Sequence, residues 1–314
     1  MIYVIGGANI DLFAKSDNPL IMHDSNPAKL NMGIGGVGRN IAENLVNIGE
    51  DVEFVTIFAD DYFGDVLYRD CENKGFKLNY SMRKTDQKTS MYLAILDHEN
   101  DMHLAFSDMR IIESLNVDDL KELKSVIKDD DYLVVDANLS LETYTYIMQN
   151  FKGIKVSDAI SVNKVYKLKD LVDKIDIIKV NLVEAEALIG KTLGNEEDIV
   201  NGLKELFKRG AKEVLITTKL GVYLLKDEKI YYYVHNSYSA SVNTTGAGDS
   251  MLAAYVYASN HSYDVKEALA IALSTAILTI GDSNAVAKLD IDKIKNKRNE
   301  LKIEGGIVAD VYSC

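Results

Sequence analysis

The chain has 314 residues, of which 47% are hydrophobic and 26% charged, a balance typical of a folded protein with a substantial core. Its 35 Lys and Arg residues and 48 Asp and Glu residues give a formal net charge of −13. Such an acidic chain lacks the basic footprint that nucleic acids and anionic membranes require. Its two cysteines, Cys71 and Cys314, are too few for a disulfide framework or a multi-cysteine zinc site. We see no secretory signal and no apolar run of about 18 residues, so we expect a cytoplasmic protein.

Strand-like apolar runs alternate with amphipathic helical stretches along most of the chain. The predicted strands cover 2–5, 52–57, 132–135, 154–157, 176–180 and 213–217. The predicted helices cover 38–48, 63–74, 117–128, 141–150, 196–208, 247–259 and 264–280. This alternation predicts an α/β fold in which helices cover both faces of a mainly parallel sheet.

Two segments depart from the alternation. Residues 12–32 have no helical period and contain both prolines of the chain. Residues 89–107 form two apolar runs around the polar segment 97–101, which is typical of a β-hairpin. We expect these two segments to form a small β-layer that acts as a lid. A second hairpin is predicted over 222–234, and the tail after Asp290 is expected to be helical at first, then short and irregular.

The segment with the clearest chemical signal is 243–250, which reads NTTGAGDS and leads into an apolar helix. Glycine lets the backbone approach a ligand closely, and the first amides of a helix have no internal partner, so this segment predicts an anion site. A carboxylate there, Asp249, would repel a phosphate unless it accepts a proton from an attacking hydroxyl group. The alternative is an ordinary helix start at which Asp249 complements the helix dipole.

Residues 33–40, which read GIGGVGRN, satisfy the G-x-G-x-x-G pattern of dinucleotide-binding folds. That pattern requires a strand running straight into it, and residues 30–32 are a short, poor candidate. The better interpretation is a backbone-lined loop that receives a hydroxylated ligand, with Asn40 able to donate and accept hydrogen bonds. Tight packing between helix and sheet is the alternative.

Two further clusters directly follow predicted strands. Residues 6–11 lie at the carboxyl end of the first strand, where open α/β sheets bind ligands, and their Asp11 could accept two neighbouring hydroxyl groups. A turn acid is the alternative. Residues 179–184 enter a helix, and Glu184 could hold Mg²⁺-bound water near phosphates. The alternative there is an acid that begins the helix.

Together these segments resemble the ribokinase, or PfkB-type, family of sugar and nucleoside kinases over nearly the whole chain. The resemblance rests on residues 35–40 and 244–249, with smaller matches at 61–64 and 181–184, all in the order that the family shows. It implies a three-layer α/β/α fold with a mainly parallel central sheet and a small β-sheet lid. The whole chain, 1–314, would then be a single kinase domain.

The resemblance implies roles around the phosphoryl acceptor. Asp249 would be the general base on the 5′-hydroxyl group of the substrate. The amides that bind the transferring phosphoryl group would come from Gly246, Ala247 and Gly248. The ribose would be held by four residues: Asp11, Gly35, Gly36 and Asn40.

For the nucleotide, the resemblance implies that Asn181 and Glu184 serve the ATP phosphates and Mg²⁺, with Glu184 reaching the metal through water. Thr217 and Gly221 would border the nucleotide. Some relatives also use K⁺, but Asn243 stands where many members carry aspartate, so we make no firm prediction of K⁺ dependence. The lid would close over the sugar and, as in relatives, form a homodimer contact.

Within the family, several stretches are similar to the pseudouridine kinases: 35–45, 92–97, 101–102, 107–109 and 136–140. We therefore expect ATP-dependent phosphorylation of the 5′-hydroxyl of a ribosyl substrate, with pseudouridine favoured. The nearest alternative acceptors are ribose, another sugar or a purine nucleoside. The alternatives from other classes are a sensor that binds nucleotide or sugar without catalysis, and an NAD-linked oxidoreductase built on residues 33–38.

Overall fold

The computed structural model describes residues 1–99, 101–235, 246–280, 285–301 and 303–312. In chain order, its strands are β1 Ile2–Ile5, β2 Asn9–Ser16, β3 Ala28–Gly35, β4 Val52–Val55, β5 Ile57–Ala59, β6 Met82–Lys84, β7 Met91–Leu96, β8 Met102–Asp108, β9 Tyr132–Asp136, β10 Ile154–Asp158, β11 Ile177–Asn181, β12 Glu213–Thr217, β13 Gly221–Lys226, β14 Lys229–His235 and β15 Ile303–Asp310. Its α-helices are α1 Val37–Asn47, α2 Tyr62–Asn73, α3 Arg110–Glu113, α4 Lys121–Val126, α5 Leu141–Asn150, α6 Leu182–Ile189, α7 Glu196–Lys208, α8 Ala247–Asn260, α9 Val265–Ile280 and α10 Ile291–Glu300.

The larger sheet has the strand order β15-β14-β13-β12-β11-β10-β9-β1-β4. Strands β12 to β4 in that order are parallel, whereas β13, β14 and β15 continue the sheet antiparallel. The parallel strands are short and apolar, and β1 and β9 are buried throughout, as expected for strands covered on both faces. Their carboxyl ends share one edge, where open α/β sheets bind ligands.

Alternate side chains of the central strands enter two hydrophobic cores, one on each face of the larger sheet. In β1, Tyr3 and Ile5 pack into the core shared with α5, α6 and α7. Ile2 and Val4 pack into the core shared with α1, α8 and α9. This period of two places a helix layer on each side of the sheet. The predicted three-layer α/β/α fold is therefore confirmed, and the described residues contain no helix long and apolar enough to cross a membrane.

A smaller sheet has the order β3-β2-β7-β8. Strand β2 pairs antiparallel with β3 and parallel with β7, and β7 and β8 form the hairpin predicted within 89–107. The sheet also includes residues from the segment 12–32, but β2 begins earlier, at Asn9, and only three residues separate it from the end of β1. The expected small, separate β-layer is therefore present. Its role as a lid stays a prediction.

Three local predictions from the sequence were wrong. Residues 30–32 lie in β3, an eight-residue strand that runs directly towards α1; it is an edge strand, and most of its side chains are exposed rather than packed in a core. The tail after α10 forms the edge strand β15, which is held by backbone pairing with β14 rather than by an apolar face. The helix predicted over 117–128 is a 3₁₀ turn, Asp118–Leu120, followed by the short α4.

The strand before residues 33–38 does not create a dinucleotide-binding unit. Strand β3 belongs to the smaller sheet and pairs antiparallel with β2, whereas the G-x-G-x-x-G motif requires a parallel β-α-β unit. The sequence argued against this motif because residues 30–32 are a poor strand. The structure argues against it because β3 is a strand but has the wrong topology.

Candidate active site

Asn40 and Asp249 meet at the centre of the site. Asp249 lies in the first turn of α8, and Asn40 lies in the first turn of α1; both side chains are buried. The Asn40 Nδ2 group donates a hydrogen bond of 2.9 Å to Oδ2 of Asp249. Two motifs separated by 209 positions therefore form one polar contact, because α1 and α8 pack side by side on the same face of the sheet.

The environment of Asp249 opposes its ionisation. Burial raises its pKa to about 7, and the nearby Asp158 carboxylate adds to this effect. The Lys179 ammonium group and the hydrogen bond from Asn40 act in the opposite direction. A carboxyl group with a pKa near neutrality can both take up and release a proton under ordinary conditions, which suits a general base.

Arg39 fixes the orientation of the Asn40 amide. Its Nη1 group donates to Oδ1 of Asn40 at 3.3 Å, while its Nη2 group contacts Glu43 at 2.6 Å and Asp70 at 2.7 Å. With the amide oxygen facing a cation, the amide nitrogen is turned towards Asp249. The sequence interpretation gave Arg39 no role; its position beside Asn40 was the available signal.

Asp136, at the end of β9, joins two glycine-containing loops. Its Oδ2 accepts backbone hydrogen bonds from Gly7 at 2.8 Å and Gly38 at 2.9 Å, and its Oδ1 accepts one from Asn138 at 2.9 Å. A Cβ atom on Gly6 would lie 2.3 Å from this carboxylate, so the contact requires glycine there. The sequence interpretation noted Asp136 only as a subgroup feature and missed this role; a buried acid at a strand end was the signal.

Asp11 lies on the smaller sheet, opposite Gly33 and close to Gly35. The Oδ2 atom of Asp11 would lie 2.2 Å from a Cβ atom on Gly35, so a side chain at position 35 would collide with it. The Nδ2 group of Asn9 donates a hydrogen bond of 2.6 Å to Oδ1 of Asp11. Burial raises the pKa of Asp11, with Asn9 and a nearby guanidinium opposing the shift. Asp11 therefore lies on a strand, and the turn-acid alternative is wrong.

Gly36 connects the smaller sheet to α1. Its φ of 106° lies in the left-handed region, and a Cβ atom would lie 2.4 Å from the Gly7 carbonyl oxygen. Only glycine fits both conditions. The backbone therefore turns sharply between Gly35 and α1, which brings Asp11 and Asn40 to the same end of the molecule.

The glycine turn, here defined as Gly246, Ala247 and Gly248, begins α8. Gly246 has a φ of 81°, and a Cβ atom there would lie 1.9 Å from the Ala285 carbonyl oxygen. The first amides of a helix lack internal partners and lie at the positive end of the helix dipole, so this turn has the chemistry of an anion site. Residues 243–245 of the same motif lie outside the described residues.

Lys179 lies beneath the glycine turn and was given no role by the sequence interpretation. It is a buried residue of β11, and its Nζ atom is 2.9 Å from Oδ2 of Asp158 at the end of β10. A Cβ atom on Gly248 would lie 2.6 Å from this ammonium group. The missing side chain of Gly248 therefore makes room for a cation directly behind the predicted anion site.

Asn181 and Glu184 form a capping box at the start of α6. Asn181 Oδ1 accepts from the Glu184 amide at 2.9 Å, and Glu184 Oε2 accepts from the Asn181 amide at 2.8 Å. Burial raises the pKa of Glu184, and Lys179 opposes this rise. Glu184 is therefore an acid that begins a helix, as one alternative stated, while its predicted role at Mg²⁺ stays a prediction.

Thr217 and Gly221 lie on the neighbouring strands. Thr217 is directly opposite Asn181 in the sheet, and Gly221 begins β13 after a turn in which its amide donates to Thr218 Oγ1 at 3.1 Å. A Cβ atom on Gly221 would lie 2.1 Å from the Tyr233 carbonyl oxygen. Both residues therefore lie at the same sheet edge as the capping box, and their contact with a nucleotide stays a prediction.

Contacts and strand register link the predicted site residues along the carboxyl edge of the larger sheet. The path of these residues runs from the smaller sheet, through α1 and the start of α8, to β11, β12 and β13. The two ends of this path were predicted to bind different groups, ribose at one end and nucleotide at the other. The glycine turn and Asp249 lie between these two ends, and their role at a transferring phosphoryl group stays a prediction.

Comparison with known proteins identifies the family to which the chain belongs. The pfkB family carbohydrate kinase model matches residues 1–292, and the chain therefore belongs to that family. It is a sugar or nucleoside kinase of this family. The NAD-linked oxidoreductase alternative is accordingly wrong.

Individual relatives span most of the chain. The pseudouridine kinase of Escherichia coli (strain K12) is 30% identical over 261 residues, which cover 80% of this chain and 81% of that protein. The guanosine-inosine kinase of Exiguobacterium acetylicum is 24% identical over 287 residues, covering 90% of this chain and 95% of that protein.

Solved structures show the same fold. A carbohydrate kinase from Agrobacterium tumefaciens has a TM-score of 0.82 at 26% identity, covering 97% of this chain and 99% of that chain. Arabidopsis thaliana ribokinase complexed with ribose and ATP has a TM-score of 0.80 at 20% identity, covering 95% of this chain and 98% of that chain.

Proposed function

We propose that this protein uses ATP to phosphorylate the 5′-hydroxyl group of a ribosyl substrate, with pseudouridine as the favoured acceptor. The observation that carries the proposal is the buried hydrogen bond between Asn40 and Asp249 beside the glycine turn. This contact supports the proposal because it holds a carboxylate beside the glycine turn, where the acceptor hydroxyl group would lose its proton. The choice of pseudouridine is supported by the 30% identity to the pseudouridine kinase of Escherichia coli.

Asp249 acts as the general base in this proposal. The hydrogen bond from Asn40 occupies Oδ2, and we assign Oδ1 as the atom that accepts the hydroxyl proton. As the acceptor oxygen forms its bond to phosphorus, the bond from phosphorus to the departing ADP oxygen breaks. The amides of the glycine turn face the charge that develops on the phosphoryl oxygens, so positioning and electrostatic stabilisation supply most of the acceleration.

The residues at the nucleotide end fit ATP and Mg²⁺. The first amides of α8 have no partner within the helix, which is the chemistry that binds a phosphate. Ala285 and Lys179 occupy the space that side chains on Gly246 and Gly248 would take. Glu184 uses Oε2 in its capping box, and a contact through a metal-bound water needs only its other oxygen. Mg²⁺ keeps several waters and is usually held by one or two carboxylates together with phosphates. When bound, it neutralises charge on the phosphates.

The ribose is held in this proposal by Asp11, Gly35, Gly36 and Asn40. Asp11 is fixed by Asn9 and by its close approach to Gly35, and a carboxylate can accept hydrogen bonds from two neighbouring hydroxyl groups. The smaller sheet that carries Asp11 would close over the sugar and exclude water. Exclusion of water favours transfer to the acceptor over hydrolysis of ATP.

The proposal is tested by measuring ADP release with a panel of acceptors: pseudouridine, uridine, ribose, guanosine, inosine and adenosine. Pseudouridine exposes a ring N–H group that uridine lacks. A pocket that pairs with this group should favour pseudouridine by about 10- to 100-fold in kcat/KM, because leaving a buried polar group unpaired costs about 1–3 kcal/mol. Faster turnover of a purine nucleoside or of ribose would refute pseudouridine as the favoured acceptor. Ligand binding without ADP release would favour the sensor alternative.

We also propose that two copies associate through the smaller sheet. Strand register places Leu30, Met32, Leu104 and Phe106 on one face of this sheet, and all four are exposed. Asp11 projects from the opposite face, since it alternates with Ile10 and Leu12 along β2. A contiguous exposed apolar face is typical of an interaction site. A second copy would cover it without obstructing the face that carries Asp11.

A further inference from the structure

The ion pair of Asp158 and Lys179 is held in place by an unusual turn after β10. Asp158 Oδ1 accepts a hydrogen bond of 2.8 Å from the Ile160 amide, and Oδ2 lies 2.9 Å from the Lys179 ammonium group. Ile160 has a φ of 66°, in the left-handed region that β-branched residues rarely adopt. Such strained positions concentrate at functional sites, where surrounding contacts hold them. Here the strained turn orients one carboxylate against one ammonium group.

Four groups, each from a different element, act on the Asp249 carboxyl group. They are Asp136 from β9, Asp158 from β10, Lys179 from β11 and Asn40 from α1. The charge of Lys179 in turn interacts with those of Asp158, Glu184 and Asp249. Its ammonium group also lies against Gly248, the residue before Asp249. Both members of the ion pair therefore act on Asp249 through space, and their charges act in opposite directions.

We propose that Asp158 and Lys179 are positioning residues that control when Asp249 gives up its proton, Asp158 by opposing its ionisation and Lys179 by favouring it. This inference rests on the proposed function, in which Asp249 must be ionised to accept a proton. Lys179 has a second consequence, since its charge lies behind the glycine turn and adds to the attraction of that turn for a phosphoryl group. Neither residue needs to touch a substrate for these effects.

Removing the two members of this ion pair should change the ionisation of Asp249 in opposite directions. A purely structural role of the ion pair would not produce opposite changes. Asp158→Asn removes a negative charge and keeps Lys179, so Asp249 should ionise more readily. Adding Lys179→Met to that variant removes the remaining cation, so Asp249 should ionise less readily than in Asp158→Asn alone. Asn and Met are neutral and of similar size to the residues that they replace, and the double variant removes both members of the ion pair rather than leaving one of them charged and unpaired.

The experiment measures kcat between pH 5 and pH 9 for the wild type, D158N and D158N/K179M with saturating substrates. The acid limb of the profile should move to lower pH by about one pH unit in D158N and back to higher pH in the double variant. Lys155→Met is the control, because Lys155 lies on β10 at the opposite end from Asp158 and bonds to the Met148 carbonyl. K155M should leave the acid limb in place. An acid limb that stays fixed in D158N overturns the inference.

A second readout does not depend on catalysis. The difference in melting temperature between each protein and its counterpart with Asp249→Asn isolates the contribution of Asp249 to stability. Asp249 binds its proton more tightly in the folded state than in the unfolded chain. Its contribution to stability therefore falls as the pH rises above the pKa of Asp249 in the unfolded chain, and it levels off above the pKa of Asp249 in the folded protein. Levelling should occur at lower pH in the D158N background and at higher pH again with K179M added. Identical curves in all backgrounds overturn the inference.

The two readouts separate this inference from the proposed function. Absence of ADP release from the wild type with every acceptor refutes the kinase reaction proposed above, while the melting curves still decide whether the ion pair controls Asp249. Normal ADP release with unchanged acid limbs leaves the kinase reaction intact and refutes only the role of Asp158 and Lys179.

Discussion

At the scale of single residues, the site is organised around one carboxyl group whose neighbours come from distant parts of the chain. Asp249 receives a hydrogen bond from Asn40 and lies near the buried pair of Asp158 and Lys179. Its importance is tested by Asp249→Asn, which keeps the shape and removes the base. We expect kcat to fall by roughly 10²–10⁴-fold while both substrates still bind, measured by turnover and calorimetry. Near-normal turnover would contradict the assignment of the base.

The pH dependence of the wild type follows from the same carboxyl group. Its pKa is raised to about 7, mainly by burial, and only the ionised form accepts a proton. Turnover should therefore rise with pH between about pH 6 and pH 8 and be lost below this window. A rate profile of kcat checks this, and a profile that is flat down to pH 5 would speak against Asp249.

Arg39 provides a prediction about orientation. Arg39→Lys keeps a cation for Glu43 and Asp70, but an ammonium group lacks the fork of donors that also reaches Asn40. The amide can then rotate, and we expect kcat to fall about 10-fold with little change in melting temperature. Arg83→Lys is the matched control, since Arg83 forms an exposed ion pair with Asp65 away from Asn40. Equal rates for R39K and wild type would exclude an orienting role.

At the scale of elements, the start of α8 needs glycine for two reasons: a left-handed backbone conformation and a lack of space for a side chain. Gly246 begins one helix and Gly190 ends another with nearly the same backbone angle, φ 81° and φ 80°. A side chain on Gly246 would meet the Ala285 carbonyl oxygen at 1.9 Å, whereas one on Gly190 would meet nothing within 4 Å. Gly190 is therefore a matched control for the left-handed conformation alone.

This pair of glycines gives the prediction for α8. Gly190→Ala should cost about 1–2 kcal/mol of stability, because alanine disfavours the left-handed conformation, and leave kcat unchanged. Gly246→Ala should cost more and lower kcat at least about 10-fold, because the backbone of the predicted anion site must shift. Chemical denaturation and steady-state rates measure both effects. Equal losses for the two variants would show that the turn at Gly246 tolerates a side chain.

At the scale of the whole molecule, the smaller sheet has two faces with different predicted roles. Phe106→Asp places a charge on the exposed apolar face, whereas Ser107→Asp places the same charge on the opposite face of β8. We expect the wild type and S107D to be dimers and F106D to be a monomer, because a buried unpaired charge is costly at an interface. Light scattering after size-exclusion chromatography gives the masses, and a monomeric wild type would refute the proposed dimer.

Local sequence pattern was enough to predict much of the secondary structure. The hairpin over 222–234 and the helices over 141–150 and 196–208 follow from period and turn residues, and the structure has all three. The motif around Gly246 was visible because closely spaced glycines directly before an apolar helix are typical of an anion site. Two edge strands, β3 and β15, were missed, since both depend on backbone pairing and bury few of their side chains.

The grouping of polar residues into one site, in contrast, required the packing of the whole chain. Asn40 and Asp249 are 209 positions apart, and the roles of Arg39, Asp136 and Lys179 depend on contacts that no spacing in the sequence contains. The cause is that a parallel sheet gathers the ends of strands that are distant in sequence at one edge. Burial at that edge then changes how charges interact, and burial is a property of packing that composition and period do not express.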